Sequence, residues 1–334
     1  MKGVLHLKDH VLISIVVLAY NCEKFIAKCL DSLCNQDYPE KNYEVLITDD
    51  GSKDNTGKIC DEYAEKFPFI HVTHTENFGT SHARNVVLPQ CKGDYITFCD
   101  SDDYVSPQLI SLMTKAIEKY KDADMFAWKY TFELENNVWP VYDAENLKAP
   151  DIYDGENFCL KVLNDISYGG YTWNKLTRRE IAQQIAFNDE LMVMDDHWWV
   201  VNVLNSHKEM RVYDFNYSLY CYVQHQNFGQ SRLPGRIYTK DGMSWFVKCL
   251  ENELTLKNLS PRIIEQIKGC IYYWSTSNMY QMGRKMSDET RAKIKLYLNK
   301  YAGTYYFHSH HPISWKLRAL VRHVLIILGV HKFK

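Results

Sequence analysis

Apolar positions change rhythm along the first third of the chain. Ile13-Ser14-Ile15-Val16-Val17-Leu18-Ala19 is almost continuously apolar, as a strand buried on both faces should be. From Glu23 to Asn35 the period becomes helical, with Phe25, Ile26, Cys29, Leu30 and Leu33 on one side. Val45-Leu46-Ile47-Thr48 predicts a second strand. Thr56 to about Phe67 predicts a second helix with Asp54 as its N-cap, and Val72 marks a short third strand. A helix near Ser81 to Pro89 leads to a strand ending at Asp100, and a helix from Pro107 to Lys121 leads to a strand from about Asp124 to Tyr130. Strand and helix in alternation predict an α/β fold with a mainly parallel central sheet and helices on both faces.

The pattern then loosens. Residues 131–239 are rich in Tyr, Trp and Asn without a clear period, which predicts loops and short elements shaping a cleft. From about residue 240 the rhythm is helical again. Ser260-Pro261 and Ser287-Asp288-Glu289 are helix-start signals, an N-cap residue followed by Pro or by acids that suit the helix dipole. The segment Ile313 to Lys334 carries Lys316, Arg318, Arg322, Lys332 and Lys334 and no acid. Beside them lies a wide apolar face that includes Trp315, Leu317, Leu320, Val321, Val324 and Ile327. This tail is too short to span a bilayer. It suits either a membrane interface or docking on the protein's own core, and both readings stay open.

Composition narrows the class. A chain of 334 residues can hold two domains or one large one. A formal net charge of -2 gives no reason to expect nucleic acid as a partner, and no apolar run approaches the ~20 residues of a membrane span. The ten cysteines form no C-x-x-C pair, and Met1 to His10 lacks the apolar core of a signal peptide. Reduced thiols and a cytoplasmic location are therefore expected, peripheral on the inner face of the plasma membrane if the tail engages it.

The chemistry gathers where strands end. In a parallel sheet the C-terminal ends of the strands open on one rim, where ligands bind. The first strand delivers Ala19-Tyr20-Asn21, the second Asp49-Asp50-Gly51-Ser52, and the strand ending at Asp100 delivers Asp100-Ser101-Asp102-Asp103. In extended backbone Asp100 and Asp102 point to the same side of Ser101. Two carboxylates so placed suit Mg2+ or Mn2+ shared with substrate phosphates, although an isolated D-x-D is as often a solvated acidic turn. The segment Asn77 to Asn85 adds Gly79 for close backbone approach and Arg84 for a phosphate or carboxylate. A nucleotide could lie along this rim, with the Asp50 carboxylate accepting a uracil N–H. Each feature alone recurs by chance; four in this order are a strong signal.

These segments resemble family 2 glycosyltransferases. The resemblance rests on Ile15-Val16-Val17-Leu18-Ala19-Tyr20-Asn21, Ile47 to Asp54, Glu76-Asn77-Phe78-Gly79 through Ala83-Arg84-Asn85, and Gly93-Asp94-Tyr95-Ile96 through Asp103. It is dense over about residues 11–110 and looser to about 232, with Leu18 where the family usually has Pro. It implies an inverting enzyme with the GT-A fold, a UDP-sugar donor and a divalent metal, Mn2+ or Mg2+. Donor contacts then fall on Ala19, Tyr20, Glu23 and Asp50, with Asn21, Asn77, Gly79, Arg84 and Ser101 on the same rim, and metal contacts on Asp100 and Asp102. The expected organisation is a GT-A domain over 1–239, made of a nucleotide-sugar-binding half (11–110) and an acceptor-side half (111–239). A helical extension over 240–334 follows, ending in the basic amphipathic tail 313–334.

Inverting transfer also needs a base for the acceptor hydroxyl. Asp195-Asp196, within Met192-Val193-Met194-Asp195-Asp196-His197-Trp198-Trp199, resembles the family's Glu-Asp pair, whose second acid serves as base. That implies Asp196 as the base and Asp195 as an orienting or acceptor-binding acid; two acids favourable at a helix start are the plainer alternative. His225 stands near where some members place a third metal ligand, though a lone His is more often a hydrogen-bonded loop residue. Trp173 could stack on a sugar, and Lys175 reads as structural. The implied reaction is transfer of a hexosyl or N-acetylhexosaminyl unit to a saccharide acceptor, free or lipid-linked, in bacterial capsule, exopolysaccharide or O-antigen assembly. Two rivals stand beside it. A nucleotidyltransferase usually opens with a Gly-rich loop, which Ala19-Tyr20-Asn21-Cys22 lacks. A non-catalytic sugar-nucleotide-binding module would tolerate loss of the acids.

Overall fold

The alternating pattern folds into strand–helix units: β1 (Ile13–Ala19), α1 (Ile26–Cys34), β2 (Tyr43–Asp49), α2 (Thr56–Lys66), β3 (Ile70–His74), α3 (Thr80–Val87) and β4 (Tyr95–Asp100). The computed structural model describes residues 13–132, 138–164, 170–224, 238–282 and 285–328. β1 runs parallel to β2 and β4, and β2 parallel to β3. β1, β2 and β4 are buried almost throughout, so their aliphatic runs are covered on both faces. Helix α1 starts later than its apolar period suggests. The Glu23 N–H donates to Asp54 Oδ2 at 3.2 Å, so the chain stays in a turn until Ile26. Asp54 also accepts the Thr56 N–H at 3.0 Å, closing the start of α2 from one position before the cap residue Asn55.

Among its described residues, the stretch expected to be irregular holds several strands and helices. After β5 (Tyr104–Val105) and α4 (Leu109–Lys119) come β6 (Met125–Thr131), β7 (Asp151–Asp154), α5 (Gly155–Asn164), β8 (Lys175–Arg178), α6 (Arg179–Ala182), α7 (Asp195–Ser206) and β9 (Arg211–Cys221). The strands join one sheet in the order β3-β2-β1-β4-β8-β6-β9-β5, with β7 paired to β9. β8 lies antiparallel between β4 and β6, whereas β6 and β9 are parallel. The period was hidden because β9 is covered on both faces along most of its length. Several of the Tyr and Trp residues read as a cleft lining are core instead: Trp173, Trp199, Tyr213, Tyr217 and Tyr220 are buried.

The chain divides into two compact units, each assembled from three segments. The first comprises Met1–Gly155, Tyr171–Met192 and Glu209–Gln224, and holds the sheet. The second comprises Glu156–Gly170, Val193–Lys208 and His225–Lys334. Residues 156–170 and 193–208, expected in the acceptor-side half, thus group with the helical C-terminal region. That unit contains α7, α8 (Trp245–Glu253), α9 (Pro261–Met282), α10 (Asp288–Gly303), a π-helical turn (Thr304–His308) and α11 (Ile313–Ile327). The start signals hold: Ser260 Oγ accepts the Ile263 N–H at 3.3 Å and Ser287 Oγ the Thr290 N–H at 3.1 Å. Ser260 Oγ also donates to Glu156 Oε1 at 2.7 Å, and Gln266 Nε2 to Asn164 Oδ1 at 2.7 Å, tying α5 to α9.

Candidate active site

In the sheet register Ala19 lies opposite Asp49, Leu18 opposite Asp100, and Asp49 opposite His74. The acids ending β2 and β4 therefore flank the end of β1 on one rim. Tyr20, the first residue beyond β1, is exposed. Beside it, several residues assigned to donor binding hold the rim itself together. Asn21 takes a left-handed φ of 46°, accepts the Lys53 N–H on Oδ1 at 2.7 Å, and donates its own N–H to Ser52 Oγ at 3.0 Å. Glu23 Oε2 accepts from Asn55 N at 3.0 Å and Asn55 Nδ2 at 2.8 Å.

Asp50 is buried and latches a loop. Its Oδ1 accepts the Phe78 N–H at 3.0 Å and its Oδ2 the Gly79 N–H at 2.9 Å. A base N–H reaching Asp50 would use the second lone pair of an oxygen already engaged. Two glycines permit the latch. A Cβ on Gly51 would stand 2.7 Å from Asn77 N, and Gly79 adopts φ 95°, ψ 170°, a region nearly reserved for glycine. Asn77, between them, is exposed.

His74 completes the β3 end, with Nδ1 2.9 Å from Asp49 Oδ2 and Nε2 3.0 Å from Asp61 Oδ1. Hydrogen bonding to Asp49, then to Asp61, raises the His74 pKa above its ordinary value. The folded state thus keeps this proton to higher pH than the unfolded chain does. The contribution is complete below the unfolded value of about 6.5 and lost as pH rises through the higher folded value. The stability deficit of His74→Gln is expected to be larger at acidic than at alkaline pH, and under about 1 kcal/mol because the ring is half-exposed. Equal deficits in urea melts at both ends would remove the ion-pair reading.

The acid cluster differs from the extended strand end drawn from the sequence. The Asp103 N–H donates to the Asp100 carbonyl at 3.1 Å, closing a turn over 100–103, so Asp100 and Asp102 sit across a turn and not on alternate strand positions. Ser101 and Asp102 are half-buried in it. Asp103 is buried behind, accepting from the Tyr220 hydroxyl at 2.7 Å and the Val223 N–H at 2.7 Å. Burial, then the charges of Asp100 and Asp102, push the Asp103 carboxyl up to about 9. Burial also raises the Tyr220 phenol, which stays protonated, donates to Asp103, and accepts the Asp100 N–H at 3.0 Å. The charges of Asp100 and Asp102 on one turn, both hard carboxylate oxygen, fit a divalent cation. His225, the third ligand considered, lies outside the described residues.

Two further assignments change. Arg84, read as a phosphate or carboxylate ligand, is buried, its guanidinium 5.0 Å from the Phe187 ring centroid and 6.0 Å from that of Phe98. Trp173, read as a sugar platform, is stacked in the core on Tyr220 at 4.2 Å and Tyr171 at 4.5 Å. Lys175 is buried, donating from Nζ to the Tyr171 carbonyl at 2.7 Å and Asn174 Oδ1 at 2.8 Å.

The second unit carries the other acid pair, Asp195 and Asp196, in the first turn of α7. Asp195 is buried, and Asp196 Oδ1 accepts the His197 N–H at 2.8 Å. Met194, just before them, is left-handed with φ 69°, a strained conformation for a side-chain-bearing residue. Sequence reasoning missed what sits beneath. Buried His197 Nδ1 is 2.7 Å from Oε1 of buried Glu253 on α8, and Cys249 Sγ lies 3.4 Å from that oxygen and 3.5 Å from the Met194 carbonyl. Gly170 clears the ring, since a Cβ there would clash with His197 Cδ2. A Glu on an amphipathic helix reads as solvated, so no sequence signal marked Glu253. Glu253→Ala leaves His197 buried without this bond and is expected to destabilise the protein by about 3 kcal/mol. A loss below about 1 kcal/mol in urea denaturation would mean the pair contributes little to the fold.

The family model for glycosyl transferase family 2 matches residues 14–186. The chain belongs to glycosyl transferase family 2. The resemblance seen in the strand-end motifs is thereby borne out. Among relatives of this family 2 chain, glycosyltransferase GlyA of Streptococcus pneumoniae serotype 4 is 28% identical over 248 residues, 73% of this chain and 34% of GlyA. The uncharacterized glycosyltransferase EpsJ of Bacillus subtilis is 29% identical over 222 residues, 65% of this chain and 62% of EpsJ. The chain thus spans about a third of one relative and under two thirds of the other. The crystal structure of S. aureus TarS 1-349 in complex with UDP-GlcNAc matches with a TM-score of 0.67 at 20% identity, covering 95% of this chain and 88% of that one. The fold is the GT-A fold with a helical C-terminal region, as the sequence led us to expect.

Proposed function

We propose that this family 2 member is a metal-dependent, inverting glycosyltransferase. It moves a sugar from a UDP-sugar to a saccharide acceptor, free or lipid-linked, in capsule, exopolysaccharide or O-antigen assembly, and works in the cytoplasm. One observation carries the reading: the acids of β2 and β4 stand in register on either side of the β1 end. Poly(ribitol-phosphate) beta-N-acetylglucosaminyltransferase TarS of Staphylococcus aureus is 35% identical over 108 residues, 32% of this chain. UDP-GlcNAc is therefore the first donor to test.

In this proposal Tyr20 and the Asp50-latched loop seat the nucleotide. Asp100 and Asp102 hold Mn2+ or Mg2+. When bound, the ion supplies Lewis-acid neutralisation of the departing diphosphate. Asp103 and Tyr220 hold the turn in place from behind. Asp196 takes the proton from the acceptor hydroxyl while that oxygen attacks the anomeric carbon opposite the bond to UDP, and Asp195 orients the acceptor. The new glycosidic bond forms as the bond to UDP breaks, so the anomeric configuration inverts.

The test is UDP release from a panel of UDP-sugars with saccharide acceptors and Mn2+, with and without a chelator. Acceptor-stimulated release that the chelator abolishes is the expected result. No release from any donor would favour the non-catalytic binding module, and chelator-insensitive release would remove the metal from the proposal.

A further inference from the structure

Among the described residues, helix α11 is held to the protein along one side. Trp315 stacks on Tyr273 of α9 with ring centroids 4.6 Å apart, and the Arg322 guanidinium lies 5.2 Å from the centroid of the same ring. His323 Nδ1 is 2.6 Å from the Tyr272 hydroxyl, and Ala319 is fully buried. Lys316 Nζ donates to the carbonyls of Tyr306 at 3.1 Å and Ser309 at 3.0 Å, fixing the first turn. The opposite side carries Ile313, Leu317, Leu320, Val324 and Ile327, one stripe at alternating four- and three-residue spacing. These five are between 47% and 78% exposed, and Val321 and Leu328 beside them are exposed too.

A helix that only completes a core would turn this stripe inward. Here the polar and aromatic side is docked, and the aliphatic side is left out as a continuous patch. Two occupants could cover it: a second copy of α11 or a lipid surface. The positions flanking the stripe decide between them. Ser314, Lys316, Val321 and His323 include no acid, and residues 290–334 as a whole contain nine Lys and Arg and no Asp or Glu. Two copies would bring like charges together without the opposite charges that set coiled-coil pairing. Anionic headgroups would supply them. At 15 residues α11 is about 22 Å long, short of the ~30 Å needed to cross.

We propose that α11 is a preformed interfacial helix that seats the protein on an anionic lipid surface. Its clamp to α9 sets which side meets the lipid before contact. The test uses the full chain and sedimentation with vesicles of phosphatidylcholine alone or with about one third phosphatidylglycerol. Wild type is expected to co-sediment with the anionic vesicles at low salt, to be released at high salt, and to stay in solution with phosphatidylcholine alone. The double variant L317E/V324E, altered only at exposed positions, is expected to lose binding about tenfold or more while keeping its thermal midpoint. Wild type that ignores anionic vesicles, or a variant that binds them equally, would overturn the proposal. So would a wild-type dimer in light scattering that the double variant abolishes, since the stripe would then be a self-association face.

Discussion

Asp196→Asn is expected to lower sugar transfer by about 10²- to 10⁴-fold, the usual contribution of a positioned general base. Asn has nearly the same shape. It can still accept the His197 N–H that Asp196 accepts at 2.8 Å, so the start of α7 should survive. What it cannot do is take a proton. The loss should therefore fall on kcat, with little change in donor KM or thermal midpoint. Asp195→Asn is the comparison: as the buried member of the pair, proposed to orient the acceptor, it should raise acceptor KM more than it lowers kcat. Wild-type transfer by Asp196→Asn would sink the assignment. The full loss appearing in Asp195→Asn instead would move the base by one residue.

Asp102→Asn should be the other large effect. Replacing one carboxylate of the 100–103 turn keeps the Asp103 N–H to Asp100 carbonyl bond that closes it, since that bond is between backbone atoms. It removes a charged oxygen from the proposed cation site. Several kcal/mol of charge stabilisation corresponds to about 10²-fold or more in rate. A merely misshapen site would lose activity at every metal concentration. A lost ligand should shift the Mn2+ activation curve to higher concentration as well. Mn2+-dependent transfer at the wild-type level, with an unshifted curve, would rule Asp102 out as a ligand.

The parts of the fold that alternate were legible, and so was the rim. Ile13 to Ala19 and the strand ending at Asp100 announce themselves because a strand covered on both faces needs an unbroken apolar run. β9 did not, although it has eleven residues, because Tyr213, Asp214, Tyr217 and Tyr220 are buried with its aliphatic residues and mimic a polar loop. Identity was legible at the site, but posture was not. Asp100 and Asp102 could be named, yet a turn and an extended end share one sequence until the Asp103 amide finds its acceptor. Arg84 shows the same limit, since the burial of its guanidinium beside Phe98 and Phe187 is a matter of packing that the sequence position does not reveal. Asp50 was read for a ligand and is found holding the amides of Phe78 and Gly79. The Glu253–His197 pair lay beyond reach because it joins residues 56 positions apart on two helices.

The threading of the helical unit through the chain limits how relatives can be recombined. A chimera made with a single crossover near residue 239 would separate Glu156 from Ser260, Asn164 from Gln266, and His197 from Glu253. Each half would then meet a stranger's side chain at three buried or half-buried contacts. An exchange that respects this wiring transplants 156–170, 193–208 and the C-terminal part as one set, with its joints at the five places where the chain passes from one unit to the other.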